Sequence, residues 1–134
     1  MSLVRDAMVT EPASLDASAS AQEAARLLVR PDVHTVFVCD AGRLLGVVTR
    51  AALVEKVVAA GRDPRTTPLA EVATSGVVGV GPDVPLEEAF RVMEERDVER
   101  LAVTEEGRLV GVLSRSVVGR RLAEDRPEPE SGAE

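Results

Sequence analysis

Two short segments of the sequence place a hydroxyl residue directly before an arginine. Thr49 and Arg50 follow the apolar run LLGVV, and Ser114 and Arg115 follow LVGVL. A hydroxyl between a strand and a helix lies beside unpaired backbone amides at the positive end of the helix dipole, where a phosphate binds well. An arginine in the first helical turn opposes that dipole, and an anionic partner would remove this penalty. The four residues are therefore candidates for anion binding. The alternative is that the hydroxyls only cap helices and the arginines are solvated.

The two segments belong to a longer internal repeat. Residues 4–54 align with residues 69–119 without gaps at a constant shift of 65. The aligned positions are identical at Glu23/Glu88, Ala24/Ala89, Arg26/Arg91, Asp32/Asp97, Val33/Val98, Val38/Val103, Gly42/Gly107, Arg43/Arg108, Leu44/Leu109, Gly46/Gly111, Val47/Val112 and Arg50/Arg115. A solenoid usually needs three or more copies, so two copies indicate a pseudo-symmetric pair.

Each copy predicts the order β-α-β-β-α. Ser20 precedes Glu23 by three residues, which is the capping-box pattern of a helix start. Two β-branched runs flank Gly42, and two more flank Gly107, so each pair predicts a hairpin. The last helix of the first copy is predicted to begin after Thr49 and to stop near Gly61.

The predicted fold class is α/β (α+β), with two β-α-β-β-α repeats packed sheet to sheet in pseudo-two-fold symmetry. A single copy of about fifty residues could hardly cover both faces of its own sheet. We assign residues 3–60 to the first repeat, 61–68 to a linker rich in Gly, Pro and Thr, and 69–122 to the second repeat. Residues 123–134 are acidic and rich in proline, and predict a disordered tail.

Composition excludes several classes of function. The chain has 134 residues, a formal net charge of −7 and 45% apolar residues. Such a charge argues against a nucleic-acid surface, which is normally basic. A single cysteine, Cys39, and the lack of a signal peptide or a long apolar run predict a cytoplasmic protein that does not enter a membrane. Fifteen of the sixteen cationic residues are arginine, a bias expected of a GC-rich, bacterial genome.

The chain resembles tandem cystathionine-β-synthase-type (CBS) domains, a pair known as a Bateman module. The resemblance covers about residues 3–122 and rests on VRDAMVTEP, on EAARLL and EAFRVM, and on GRLLGVVTR and GRLVGVLSR. It implies a regulatory module without enzymatic activity, binding an adenosine-containing ligand such as AMP, ATP or S-adenosylmethionine in clefts between the copies. It also implies a homodimer formed through the helices, and an output that passes through an effector protein.

The same resemblance implies further ligand contacts. His34 directly precedes a strand where family members often place a basic residue near the ligand phosphates, and Arg100 is assigned the matching place in the second copy. Thr10 and Pro12 lie in a segment that approaches the ligand base in the family. The alternative is that these residues are ordinary exposed loop and strand-end residues. With one histidine and no cluster at metal or catalytic spacing, the sequence predicts neither a metal site nor catalysis.

The chain departs from the family pattern where the ribose would bind. An Asp usually stands three residues after the Thr or Ser of the junction, but this chain has Ala52 and Val117. The usual proline of the second strand is replaced by Phe37 and Ala102. Two functions therefore stay open. One is a sensor of a small anionic ligand, and the other is a degenerate pair that acts as a dimerisation or interaction scaffold without nucleotide binding.

Overall fold

The computed structural model describes residues 2–125, and both repeats form the predicted elements. The first repeat contains α1 (Val4–Ala7), β1 (Ser14–Asp16), α2 (Ala21–Leu28), β2 (Val36–Asp40), β3 (Arg43–Val48) and α3 (Arg50–Leu53), which continues as a π-helix (Val54–Val58). The second contains a 3-10 helix (Leu69–Glu71), β4 (Gly79–Val80), α4 (Leu86–Arg96), β5 (Arg100–Glu105), β6 (Arg108–Ser114) and α5 (Arg115–Asp125).

The six strands form one sheet in the order β1-β2-β3-β6-β5-β4. In each repeat the first strand pairs parallel with the second, and the second pairs antiparallel with the third. β3 and β6 join the two halves through the antiparallel pair Arg43 and Arg108. The order is the same from either edge, so a pseudo-two-fold axis passes between β3 and β6. The predicted mixed α/β fold of two repeats is confirmed.

Local sequence signals account for the helix starts and the hairpins. The Ser20 hydroxyl accepts a hydrogen bond from the Glu23 amide at 3.2 Å, and the Glu23 carboxylate accepts one from the Ser20 amide at 2.9 Å. The β2–β3 turn has positive φ at Ala41 (52°) and Gly42 (84°), and the β5–β6 turn repeats this. Positive φ at both central residues matches the twist of the flanking strands. The predicted capping box and hairpins are confirmed.

The first helix of each repeat packs on the core of the other repeat. Val4 of α1 is fully buried among second-repeat residues that include Leu86 and Met93. Its counterpart in the 3-10 helix, Leu69, and the neighbouring Val72 are fully buried in the first-repeat cluster. Each core is therefore completed by a segment of the other copy, which explains why the two copies form one unit.

Backbone pairing between the copies follows the same exchange. The amide of Val9 donates to the carbonyl of Val112 at 2.9 Å, and the amide of Val112 donates back at 3.0 Å. Thr74 and Val47 form the equivalent pair, at 2.8 and 3.0 Å. A Cβ atom at Gly111 would lie 2.9 Å from the Val9 carbonyl oxygen, closer than real Cβ contacts. The repeated glycine of the strand motif is therefore needed because two backbones meet there.

The two segments predicted to lack regular structure differ from each other. Residues 61–68 pack against the start of α2, where the carbonyls of Pro64 and Thr67 accept hydrogen bonds from Gln22 and Ala21. α5 continues to Asp125, so residues 123–125 of the predicted tail are helical, and the rest of that tail lies outside the described residues. Among residues 2–125, no helix is long and apolar enough to cross a membrane.

Candidate functional site

A cavity of about 630 Å³ lies between the two repeats. Three segments distant in sequence form it: residues 34–37 around the start of β2, residues 74–78 before β4, and residues 96–101 from the end of α4 into β5, together with Val47 of β3. At the constant shift of 65 the residue that matches His34 is Glu99 and not Arg100, which pairs with Thr35. All four residues line this cavity. The cavity therefore straddles the pseudo-two-fold axis.

The walls of this cavity are largely apolar and its charged groups are mostly basic. Phe37, which is only 3% exposed, supplies an aromatic wall, and aliphatic side chains such as Leu101 line it further. His34, Arg96 and Arg100 are the basic lining residues. Apolar walls with a few polar groups are typical of small-molecule sites, and arginine binds phosphate or carboxylate with a planar set of donors. The cavity can therefore accommodate a flat organic group that carries an anion.

The two predicted junction arginines have partners within the protein. The Arg50 guanidinium donates to the carbonyl oxygens of Arg30 at 3.0 Å and Val33 at 2.8 Å, just beyond the end of α2. Arg115 lies at the equivalent place beyond α4, with its guanidinium 3.5 Å from the Asp97 carboxylate and 3.8 Å from that of Glu99. The repeated arginine thus ties the last helix of each copy to the end of its first helix.

The two junction hydroxyls also form local contacts. Thr49 caps α3 by accepting a hydrogen bond from the Ala52 amide at 3.2 Å. The Ser114 hydroxyl lies 3.1 Å from that of Ser116. Neither these hydroxyls nor Arg50 and Arg115 line the larger cavity. Their role toward a ligand stays a prediction.

Thr10 and Pro12 line a second, smaller cavity of about 500 Å³ at the hairpin end of the strands. Its other lining residues include Asp16 and Cys39. Burial raises the pKa of the Cys39 thiol, and the charge of Asp16 raises it further. A thiol with a raised pKa is a poor nucleophile, because the thiolate is the reactive form. The structure thus separates Thr10 and Pro12 from His34 and Arg100, which share the larger cavity.

The sequence prediction missed two charged residues of the larger cavity, Arg96 and Glu99. Arg96 ends α4 and is followed by Asp97 in the left-handed conformation (φ 53°), which turns the chain toward β5. Glu99 aligns with the predicted site residue His34 in the repeat, and this alignment could have identified Glu99 as a site residue. Ala52, which is 8% exposed, and Val117, which is 40% exposed, lie outside both cavities. In the part of the chain that the structure describes, no three or more His, Cys, Asp and Glu residues are grouped to hold a metal ion.

Two pseudo-symmetric β-α-β-β-α repeats that exchange their first helices and enclose a cavity form a paired domain. The sequence profile of the CBS domain family matches residues 4–59 and 69–123. The chain belongs to the CBS domain family, as its motifs predicted.

Individual relatives agree with this assignment. The CBS domain-containing protein YhcV of Bacillus subtilis is 32% identical over 114 residues, 85% of this chain and 81% of that protein. The crystal structure of Hypoxic Response Protein I with two coordinated zinc ions has a TM-score of 0.77 at 30% identity and covers 90% of this chain and 99% of that one. The crystal structure of CBSX2 in complex with AMP has a TM-score of 0.75 at 25% identity and covers 92% of this chain and 98% of that one.

Proposed function

We propose that this CBS pair is a non-enzymatic sensor that binds a small anionic, adenosine-containing ligand in the larger cavity. The observation that carries the proposal is the cavity itself, about 630 Å³ in volume, with an aromatic wall at Phe37 and three basic residues. A volume of this size suits a nucleotide-sized molecule. The AMP complex of the related CBSX2 supports the choice of ligand class.

The division of the walls suggests how such a ligand would lie. Phe37 and the aliphatic side chains would contact the base, and Arg96 and Arg100 would contact the phosphate. The Arg100 side chain is half-buried, and within residues 2–125 it donates only one long hydrogen bond, 3.3 Å to the Glu99 carbonyl. It therefore keeps donors for an anion, and a charge-assisted hydrogen bond is worth about 1.5–3 kcal/mol.

The direct test is isothermal titration calorimetry with AMP, ADP, ATP, NAD and S-adenosylmethionine. We expect at least one to bind, and we expect Arg100→Ala to weaken that binding roughly tenfold or more. Arg91→Ala is the matched control, because Arg91 is exposed on α4 and lies outside the cavity. If none of the five compounds gives heat at millimolar concentration, or if both variants weaken binding equally, the proposal is wrong.

A second candidate function is an interaction scaffold, favoured by apolar side chains exposed on the helices. Val54 is 59% exposed and Val58 is 72% exposed, and they lie one turn apart on the π-helix, while Val117 on α5 is 40% exposed. A homodimer formed through these helices would bury the three side chains. Sedimentation velocity should then show a dimer for the wild type and a monomer for Val58→Glu, with no effect of nucleotide on either. A monomeric wild type at high micromolar concentration would rule this function out.

In either case we propose that the output passes through another protein in the cytoplasm. The single thiol is consistent with a reducing compartment. A role other than catalysis is supported by the charged residues that line the larger cavity. Among residues 2–125 these are three basic groups and one carboxylate, and none of them is an activated nucleophile.

A further inference from the structure

Among the described residues 2–125, Glu99 is the only carboxylate that lines the larger cavity. It stands among basic residues, between Arg96 and Arg100 in sequence and opposite His34 in the alignment of the repeats. An unneeded negative charge here would weaken the binding of any anion. Its position therefore calls for a contact with a part of the ligand that is not anionic.

The Glu99 backbone is anchored while its carboxylate stays free to accept hydrogen bonds. The Arg115 amide donates to the Glu99 carbonyl oxygen at 2.9 Å, which joins the starts of β5 and α5. The Arg115 guanidinium lies 3.8 Å from the Glu99 carboxylate, beyond hydrogen-bond distance. Within residues 2–125 no group donates a hydrogen bond to that carboxylate, and the Glu99 side chain is 71% exposed. Both oxygens are therefore available to a ligand.

We propose that Glu99 is a specificity-determining residue that accepts hydrogen bonds from the hydroxyl groups of the ligand. This inference rests on the proposed function. An ionised carboxylate has two oxygens that accept hydrogen bonds and can receive one from each hydroxyl of a vicinal diol. It supplies, from the start of β5, the acceptor that Ala52 and Val117 cannot supply from the strand–helix junctions.

The charges of the cavity also set the orientation of the ligand. Repulsion from Glu99 directs the anionic group toward Arg96 and Arg100, and the diol then lies nearest Glu99. The cavity consequently selects a sugar with free hydroxyls, so a nucleotide that lacks one of them binds more weakly. The loss of one charge-assisted hydrogen bond corresponds to roughly tenfold or more in affinity.

The test compares AMP with 2′-deoxyAMP and 3′-deoxyAMP by calorimetry in wild type, Glu99→Gln and Glu99→Ala. In the wild type we expect AMP to bind at least tenfold more tightly than one of the deoxy analogues. In Glu99→Ala we expect AMP to bind about tenfold more weakly and the preference over that analogue to fall to within twofold, with Glu99→Gln intermediate. Glu95→Ala, an exposed α4 residue outside the cavity, should behave as wild type.

The sign of the effect distinguishes recognition from simple repulsion. If Glu99 only repels the anion, Glu99→Ala binds AMP more tightly and leaves any preference over the deoxy analogues intact, which overturns the inference while the proposed function stands. Equal wild-type affinity for AMP and both deoxy analogues overturns it in the same way. If AMP gives no heat with the wild type, the inference falls together with AMP as the ligand.

Discussion

Replacing Gly46 by alanine should detach the segment before β4 from the first repeat. A Cβ atom at this position would collide with the Thr74 carbonyl oxygen and lie 3.0 Å from the carbonyl carbon. Both are backbone atoms, so no side-chain rotation can relieve the contact. The alanine can be accommodated only if residue 74 moves away from β3.

The cost follows from the hydrogen bonds that this movement breaks. Val47 and Thr74 exchange two backbone hydrogen bonds, at 3.0 and 2.8 Å. Each contributes about 0.5–1.5 kcal/mol to stability, so Gly46→Ala should lower the free energy of unfolding by about 2 kcal/mol. For a chain of this length that corresponds to a fall in Tm of roughly 6–8 °C.

Urea and thermal denaturation followed by circular dichroism measure this change, and hydrogen exchange of the Thr74 amide localises it. Gly81→Ala is the matched control, because the nearest atom to its Cβ would be Val84 Cγ2 at 3.9 Å. Gly81→Ala should leave stability unchanged or raise it by about 0.4–1 kcal/mol by restricting the unfolded chain. Only Gly46→Ala should therefore lower the free energy of unfolding.

Two results would refute the reasoning. One is a stability of Gly46→Ala within 0.5 kcal/mol of wild type, and the other is a loss with no faster exchange at Thr74. Because residues 74–78 line the larger cavity, the same substitution should also weaken any ligand bound there.

Three further predictions concern local contacts. Arg50→Ala should lower the free energy of unfolding, measured by urea denaturation, by about 1 kcal/mol, because two carbonyl oxygens lose a charged donor. Arg115→Ala should lower it by less than about 0.5 kcal/mol, because the ion pairs of Arg115 are long and their carboxylates are exposed. A larger loss in Arg115→Ala than in Arg50→Ala would contradict the roles assigned to these two residues. Ser20→Ala should cost about 1 kcal/mol through loss of the capping box, and an unchanged midpoint would exclude that contribution. The Ser18 side chain, and then its amide, lower the pKa of Asp16 by hydrogen bonding, so Ser18→Ala should raise that pKa in an NMR titration. The lowered pKa of Asp16 stabilises the folded state above the unfolded-state pKa of aspartate, about 3.9. That stabilisation is lost as the pH falls through the lower folded-state pKa. An unaltered pKa of Asp16 in Ser18→Ala would contradict the assignment.

The predictable part of the fold consists of features whose partners are close in sequence. The hydrogen bonds between Ser20 and Glu23 span three residues, and the turns at Gly42 and Gly107 join adjacent strands. The constant shift of 65 then showed that one unit occurs twice, and a repeated unit with one bare sheet face needs a partner.

The candidate site was harder to predict, because its residues depend on packing over long distances in sequence. Arg50 looked free to meet a phosphate, but the end of α2 brings two carbonyl oxygens within its reach. Arg96 and Glu99 showed no motif of their own. They became site residues because residues at the starts of β2 and β5 line one cavity, and because Thr74 pairs with Val47 of β3. His34 and Arg100 were predicted separately, and the structure brings them into one cavity.

The sequence by itself determined the number of repeats, the order of their elements, the turn glycines and the family. These features rest on hydrogen bonds and backbone conformations within a few residues, which the local residue types dictate. Only the tertiary structure decided that α1 packs in the core of the second repeat and the 3-10 helix in the core of the first. It also decided that one large cavity straddles the pseudo-two-fold axis. Those outcomes depend on which apolar surfaces fit together once both copies are folded. No local sequence pattern predicts shape complementarity between segments that are far apart in the chain.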